Sequence, residues 1–164
     1  MKSQLTKQEI QTLINNFNGK NYNLVISKSK NFIKKFPNEV IFHNLLGLSY
    51  HGLSENLKAK ETFIRAIKYF QKDISLKNNL AQVYTSLFEY DKAEKLFYEI
   101  IKSHPSYPNA YLNLGNQKRD LNKLDEALNL YENAKKLSPK NPIILYAIAL
   151  THRALGNFEV AIEY

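Results

Sequence analysis

Small and apolar residues return along this chain at one fixed interval. Ala59, Ala93, Ala127 and Ala161 stand 34 residues apart. Phe63, Phe97 and Tyr131 follow the first three of them by four residues, and Ala66, Ile100 and Ala134 come three later. Upstream, Leu46, Leu80, Leu114 and Ile148 keep the same step, each followed by a small residue: Gly47, Ala81, Gly115 and Ala149. Pro105 and Pro139 share the interval, and Pro37 lies two steps before Pro105. Spacings of three and four put residues on one helix face, and a long fixed period marks a stacked array. The pattern predicts helix pairs over residues 7–17 and 21–35, 40–52 and 55–70, 73–86 and 89–103, and 107–120 and 123–136. A fifth pair begins near 142, with its second helix near 157. Thr6-Lys7-Gln8-Glu9 reads as a capping box, and Asn141-Pro142 as a cap followed by proline in the first turn. The connections are short and polar.

These landmarks resemble the tetratricopeptide repeat (TPR), with its W-x-x-L-G-x-x-Y, A-x-x-x-F and proline positions. The clearest copy is Tyr111-Leu112-Asn113-Leu114-Gly115, then Ala127, Tyr131, Ala134 and Pro139. A second runs from His43 through Leu46, Gly47 and Tyr50 to Ala59, Phe63 and Ala66. The resemblance implies an all-α fold, a right-handed solenoid of about five helical hairpins with the last incomplete. The expected single domain spans 1–164, with repeats at about 6–39, 40–73, 74–107, 108–141 and 142–164. The small residue after the leucine lets the first helix of a hairpin approach its neighbours, and the aromatic residue of the second helix fills the space between hairpins. One helix pair cannot bury its own apolar face, so neighbouring pairs must supply the core. Some positions depart from the pattern. His43, Lys77 and Leu145 stand for the first aromatic, Lys118 and His152 for the tyrosine, and Gln71 for a proline. Leu13 sits where a small residue is expected, which leaves the register of the first helix open.

Composition narrows the setting. Apolar residues make up 44% of the 164, enough for a core, and there is no cysteine, so disulfides and thiolate metal sites are excluded. The first seven residues lack the apolar run of a signal peptide, and no stretch reaches the ~18 apolar residues of a membrane span. A cytoplasmic protein without membrane attachment is expected. The net charge of +8 is uneven, with +5 of it in residues 1–39, mainly from Lys28, Lys30, Lys34 and Lys35. No arginine-rich stripe or nucleic-acid motif accompanies it, so the lysines read as a solvated helix face and nucleic acid is not an expected partner.

No catalytic signature is present. There is no phosphate-cradling glycine loop and no H-E-x-x-H. His43 and His51 lie about 80° apart around a helix, poorly placed to share a metal. Glu94, Glu99, Asp125 and Glu126 read as ordinary surface carboxylates. No cofactor, metal or enzymatic activity is expected of this chain.

In proteins with this repeat the first helix of each hairpin lines the inner surface. In the fourth repeat Asn109, Asn113, Asn116 and Asp120 form a polar stripe on that helix, matched in the third by Ser75, Asn79, Gln82 and Ser86. Asparagine both donates and accepts, which suits a peptide backbone. The O-linked N-acetylglucosamine transferases, which this chain resembles in having a TPR array, carry an asparagine ladder at the position of Asn79 and Asn113. Leu45 and Ala147 occupy the neighbouring rungs here. The lysine, asparagine and arginine clamp by which chaperone-binding TPR domains hold a carboxylate is not matched, because its positions hold Asn44, Leu48, Asn79, Asn109 and Asn113 and the required cations are missing. The candidate groove comprises Asn44, Leu45, Leu48, Asn79, Gln82, Asn113, Asn116, Arg119 and Arg153. The helix over 40–52 is apolar on nearly every side, and such a helix is normally covered all round. Its cover is either the first helix, through Ile10 and Ile14, or a ligand anchored near Leu45 and Leu48, with its backbone on Asn79 and Asn113 and an acidic group on Arg119 and Arg153.

The expected function is a scaffold binding a protein or peptide segment. The alternative is the N-terminal recognition domain of a larger transferase, a sulfotransferase or O-linked glycosyltransferase, with catalysis beyond Tyr164. The last repeat stops inside its second helix with Phe158, Ala161, Ile162 and Tyr164 on an apolar face. The chain is therefore expected to be an excerpt of a longer protein, and residues 142–164 to mediate self-association.

Overall fold

The structure, a computed structural model, describes residues 6–164; residues 1–5 of the expected domain lie outside the described residues. Every regular element among the described residues is an α-helix. The helices are α1 (Lys7–Asn18), α2 (Tyr22–Lys35), α3 (Val40–Gly52), α4 (Asn56–Tyr69), α5 (Ile74–Ser86), α6 (Tyr90–Ser103), α7 (Pro108–Asp120), α8 (Leu124–Leu137), α9 (Pro142–Ala154) and α10 (Phe158–Ile162). Each predicted helix is present, with ends within about two residues of expectation, the usual uncertainty of helix termini. None is long and apolar enough to cross a membrane.

The chain forms two compact units, one ending at Leu87 and one beginning at Phe88, a boundary inside the third repeat. In the first unit α1 packs on α2, α2 on α3, α3 on α4 and α4 on α5, while α3 also touches α1 and α5. In the second, α6 packs on α7, α7 on α8, α8 on α9 and α9 on α10, while α7 also touches α9. Both are hairpins stacked in chain order, as in a helical solenoid.

The repeat landmarks account for that packing. A Cβ added to Gly47 would sit 2.5 Å from the ring of Phe63, and one added to Gly115 would sit 2.5 Å from the ring of Tyr131. Both rings are fully buried. The first helix of each of these hairpins thus lies directly on an aromatic ring from the second. The small residues Ala59, Ala66, Ala127 and Ala134, none with any exposed surface, bring the second helix close from its side. In the first repeat this device is absent. Leu13 is buried instead among Val25, Phe42 and Leu45, so α1 joins the stack through large side chains.

The turns obey the same period. Lys20, Ser54, Phe88, Asn122 and Gly156, each 34 residues after the last, all have positive φ, between 59° and 80°. Each follows the end of a first helix and closes it. In the fourth repeat Asn122 N–H donates to the Arg119 carbonyl and Lys123 N–H to the Lys118 carbonyl, both at 2.8 Å. Those are the two bonds of a left-handed helix cap. Bonds at the same offsets follow Lys20, Ser54 and Gly156. Glycine and asparagine tolerate this conformation, whereas a side chain as bulky as that of Phe88 is strained in it. The connections between repeats hold one shared conformation at Phe36, Phe70, His104 and Ser138, with φ between −115° and −143° and ψ between 55° and 73°. A following proline disfavours continuing the helix at Phe36, His104 and Ser138, yet Phe70, which precedes Gln71, leaves the helix in the same way. The stack therefore holds the turn even where the sequence does not demand it.

Local signals at the helix starts are realised. Thr6 Oγ1 accepts from Glu9 N–H at 3.2 Å while Glu9 Oε2 accepts from Thr6 N–H at 2.9 Å, and Asn141 Oδ1 accepts from Ile143 N–H at 3.0 Å. Phe88 offers a test of the turn. It is 77% exposed, so little packing is lost when its ring is removed. Phe88→Gly relieves the left-handed strain and raises stability by roughly 0.5–1 kcal/mol, read from the midpoint of urea unfolding. A variant less stable than the parent would refute this account of the turn.

Candidate functional site

The first helices of successive hairpins, α3 and α5, carry the groove residues of the first unit. Asn79 on α5 donates through Nδ2 to Asn44 Oδ1 on α3 at 2.7 Å. The register partner of Asn79 is Leu45, but the residue that meets it across the helices is Asn44, one position earlier. Both asparagines are half-buried, as are Leu48 and Gln82. The bond fixes two amides side by side, with Asn44 Nδ2 as a donor beside Asn79 Oδ1 as an acceptor. Asn78 Nδ2 approaches that acceptor too, at a long 3.5 Å.

Leu45 does not belong to this surface. It is only 5% exposed and lies in one cluster with Leu13, Val25 and Phe42, against which Ile10, Ile14 and Ile41 pack. The apolar helix α3 is covered by α1, α2, α4 and α5 from its own unit, so the ligand anchor expected at Leu45 is occupied by the protein itself. Apolar surface is buried wherever a neighbouring helix can reach it, and α1 reaches Leu45.

The second unit holds the other candidates. Asn113 is half-buried on α7. Asn116, three residues on, accepts through Oδ1 from the hydroxyl of Tyr131 at 2.9 Å. Burial pushes the pKa of that hydroxyl up to about 12, so Tyr131 stays neutral and Asn116 is held as its acceptor. Arg119 lies in the last turn of α7 beside Asp120 at 3.2 Å, and Arg153 is exposed in the last turn of α9. Residues 142–164, expected to self-associate, expose Ile143, Tyr146, Phe158 and Ile162. The two histidines of α3 have local partners: His43 Nε2 lies 3.1 Å from the Pro37 carbonyl and His51 Nδ1 lies 2.8 Å from Asn56 Oδ1.

One polar cluster was not legible as such. Lys118 takes the place of the repeat tyrosine on α7 and is 3% exposed. Its ammonium bonds Glu94 Oε1 of α6 at 2.8 Å and Glu126 Oε2 of α8 at 3.0 Å. Nearby, buried Gln117 donates to the Tyr90 carbonyl at 3.0 Å. Three helices are thus tied through two consecutive residues. The only signal in the sequence is a cation standing at a packing position, and the two glutamates look like surface residues until the helices are stacked. Burial by itself would pull the Lys118 ammonium down, but the hydrogen bonds and charges of Glu94 and Glu126 outweigh it and hold its pKa above the ordinary lysine value. The hydrogen bond from Lys118 holds Glu126 below the usual carboxylate value.

The two halves of this triad act at opposite ends of the pH scale. A raised lysine contributes stability that is complete below its ordinary value and is lost as pH rises through the folded value. A lowered glutamate contributes stability present above its ordinary value and lost as pH falls through the folded one. Lys118→Met removes the cause of the Glu126 shift while leaving both carboxylates with partial access to water. The variant is therefore expected to lose less stability than the parent between about pH 5 and pH 3, measured by urea unfolding; parallel curves would rule out the coupling. The correction at Leu45 has its own test. Leu45→Ala should cost roughly 2–4 kcal/mol, as large-to-small core substitutions do, and Leu48→Ala under about 1.5. Equal losses would place both in the core.

Two stretches of the chain match family models, residues 115–156 that of a TPR repeat and residues 74–104 that of a tetratricopeptide repeat. Among solved structures, TTC0263, a thermophilic TPR protein of Thermus thermophilus, is similar with a TM-score of 0.86 at 16% identity, over 96% of this chain and 87% of that one. A crystal structure of MamA gives 0.68 at 20% identity, over 92% and 88%. A chain of the APC/C hetero-tetramer Cut9–Hcn1 gives 0.78 at 16% identity, over 92% of this chain and 29% of that one. Identities this low speak to the fold alone. No curated protein matches the sequence. The 34-residue register, the hairpins it folds into and the two family matches make this chain a tetratricopeptide-repeat protein.

Proposed function

We propose that the chain is a scaffold that binds an extended segment of a partner protein along the first helices of its hairpins. The observation that carries this reading is the Asn44–Asn79 pair. Two half-buried amides from neighbouring helices, held at 2.7 Å, present a donor and an acceptor together. A peptide backbone offers the complementary pair at every residue, whereas a pair of surface side chains with no ligand has no need of a fixed orientation. Leu48 and Gln82 flank the amides and supply apolar contact and a further polar group. In the second unit Asn113, Asn116, Arg119 and Arg153 offer the same kind of surface, with the arginines suited to an acidic group. The similar chain of the Cut9–Hcn1 structure is part of a hetero-tetramer, in keeping with an assembly role for this fold.

The test places a photo-crosslinking amino acid at Gln82, and separately at Lys102 as a surface control, in cells that express the chain. Gln82 should capture one discrete protein that Lys102 does not. Adding Asn79→Ala should cut the yield about fivefold to tenfold, the scale of losing one or two backbone hydrogen bonds, with the melting temperature little changed. Identical adducts from both positions, or a yield insensitive to Asn79→Ala, would sink the reading.

A further inference from the structure

A second surface of the first unit has its walls on α2 and α4, away from the groove residues of α3 and α5. Between α2 and α4, over α3, runs an open cleft of about 510 Å³. Lys30 and Lys34 of α2 form one wall and Lys58 and Arg65 of α4 the other. Ile33, Leu46 and Tyr50 make the floor. Among the described residues of the lining Glu61 is the one acid, and its contact with Arg65 is long, at 3.8 Å, between side chains that are 70% and 78% exposed. Such a pair is screened by water and neutralises little. Lys58 has its own carboxylate, Glu55 at 2.7 Å. Lys30 and Lys34 have no acidic partner among the described residues. Tyr50 adds a second, separate feature. It is 9% exposed, with the ammonium groups of Lys30 and Lys58 at 5.5 and 5.6 Å from its ring centre. Its hydroxyl oxygen is not enclosed and stays within reach of solvent. A solvent-reached hydroxyl set between two cations in a cleft is placed to donate to an anionic ligand.

We infer that this cleft binds an acidic peptide segment whose carboxylates pair with Lys30 and Lys34 and whose apolar side chain rests on Ile33 and Leu46. The dimensions favour that occupant. Lys58 to Arg65 spans seven residues of helix, about 10 Å, which is the length of about three residues of extended peptide. A backbone of nucleic acid would need many more phosphate contacts than these cations provide. Single strands also need an exposed aromatic face for stacking, and the ring of Tyr50 is buried. The Tyr50 hydroxyl donates to a carboxylate between the two lysines, a charge-assisted bond. The inference is independent of the groove on α3 and α5, because Lys30, Lys34, Lys58 and Arg65 all lie on second helices.

The probe is a fluorescein-labelled peptide alternating aspartate and glutamate with leucine, titrated by anisotropy with the full chain at fixed ionic strength. The native chain should bind it. Lys30→Glu with Lys34→Glu should raise Kd at least about tenfold, and Tyr50→Phe about threefold. Lys102→Glu with Lys136→Glu alters net charge equally at exposed positions away from the cleft and should leave Kd within about twofold. Lys30→Ala with Lys34→Ala, checked for helix content by circular dichroism, guards against misfolding and should weaken binding in the same sense. The inference is overturned if the native chain does not bind, if the distant pair weakens binding as much as the cleft pair, or if Tyr50→Phe has no effect. It is also overturned if an oligothymidylate of equal charge binds as tightly and depends equally on Lys30 and Lys34.

Discussion

Within each of two hairpins a ring lies against bare backbone, Phe63 on Gly47 and Tyr131 on Gly115, with no room at either for a methyl group. This contact sets how closely the two helices of a hairpin approach, and so where every other side chain of the hairpin arrives. The alanines of α4 and α8 bring those helices close to their neighbours, and the large residues between hairpins then fill a space of fixed size. No hairpin closes its own core. Each apolar face is completed by the next helix in the chain, which is why the stack follows chain order within each unit.

That dependence explains why weak local signals still give regular structure. A left-handed residue recurs at every hairpin turn although only Asn122 and Gly156 suit it, and one helix-ending conformation recurs between repeats although Gln71 is not a proline. The packing on either side fixes where the chain must turn, and a strain of about a kilocalorie per turn is small beside the burial it permits. The first repeat shows the limit of the rule. It lacks the small residue, and α1 attaches instead through Leu13, Ile10 and Ile14, covering the apolar side of α3.

Polar groups divide according to how far the stack encloses them. Lys118 is deep enough that two carboxylates from adjacent helices must compensate it. The Asn44–Asn79 pair and the basic cleft around Tyr50 are only half enclosed, and each keeps hydrogen-bonding capacity directed away from the protein. The cations of the cleft sit on α2 and α4 and the amides on α3 and α5, so under the two proposals above each surface would take a segment of different chemistry.

The sequence by itself determined the repeat, the helices and nearly all their ends, because a 34-residue period, caps such as Thr6 and Asn141, and the placement of small and aromatic residues act over short stretches of chain. It also marked Gly47 and Gly115 as points of close approach. The tertiary structure alone decided which residues meet across helices. The helices do not stack in strict register, so Asn79 meets Asn44 and not its equivalent Leu45. Leu45 passed from expected groove to core because α1 folds over it, a contact between residues far apart in the chain that no local pattern encodes. Glu94 and Glu126 became partners of one buried lysine, and four cations of α2 and α4 became the walls of a single cleft, for the same reason: side-chain chemistry is written in order along the chain, but its neighbours are chosen by packing.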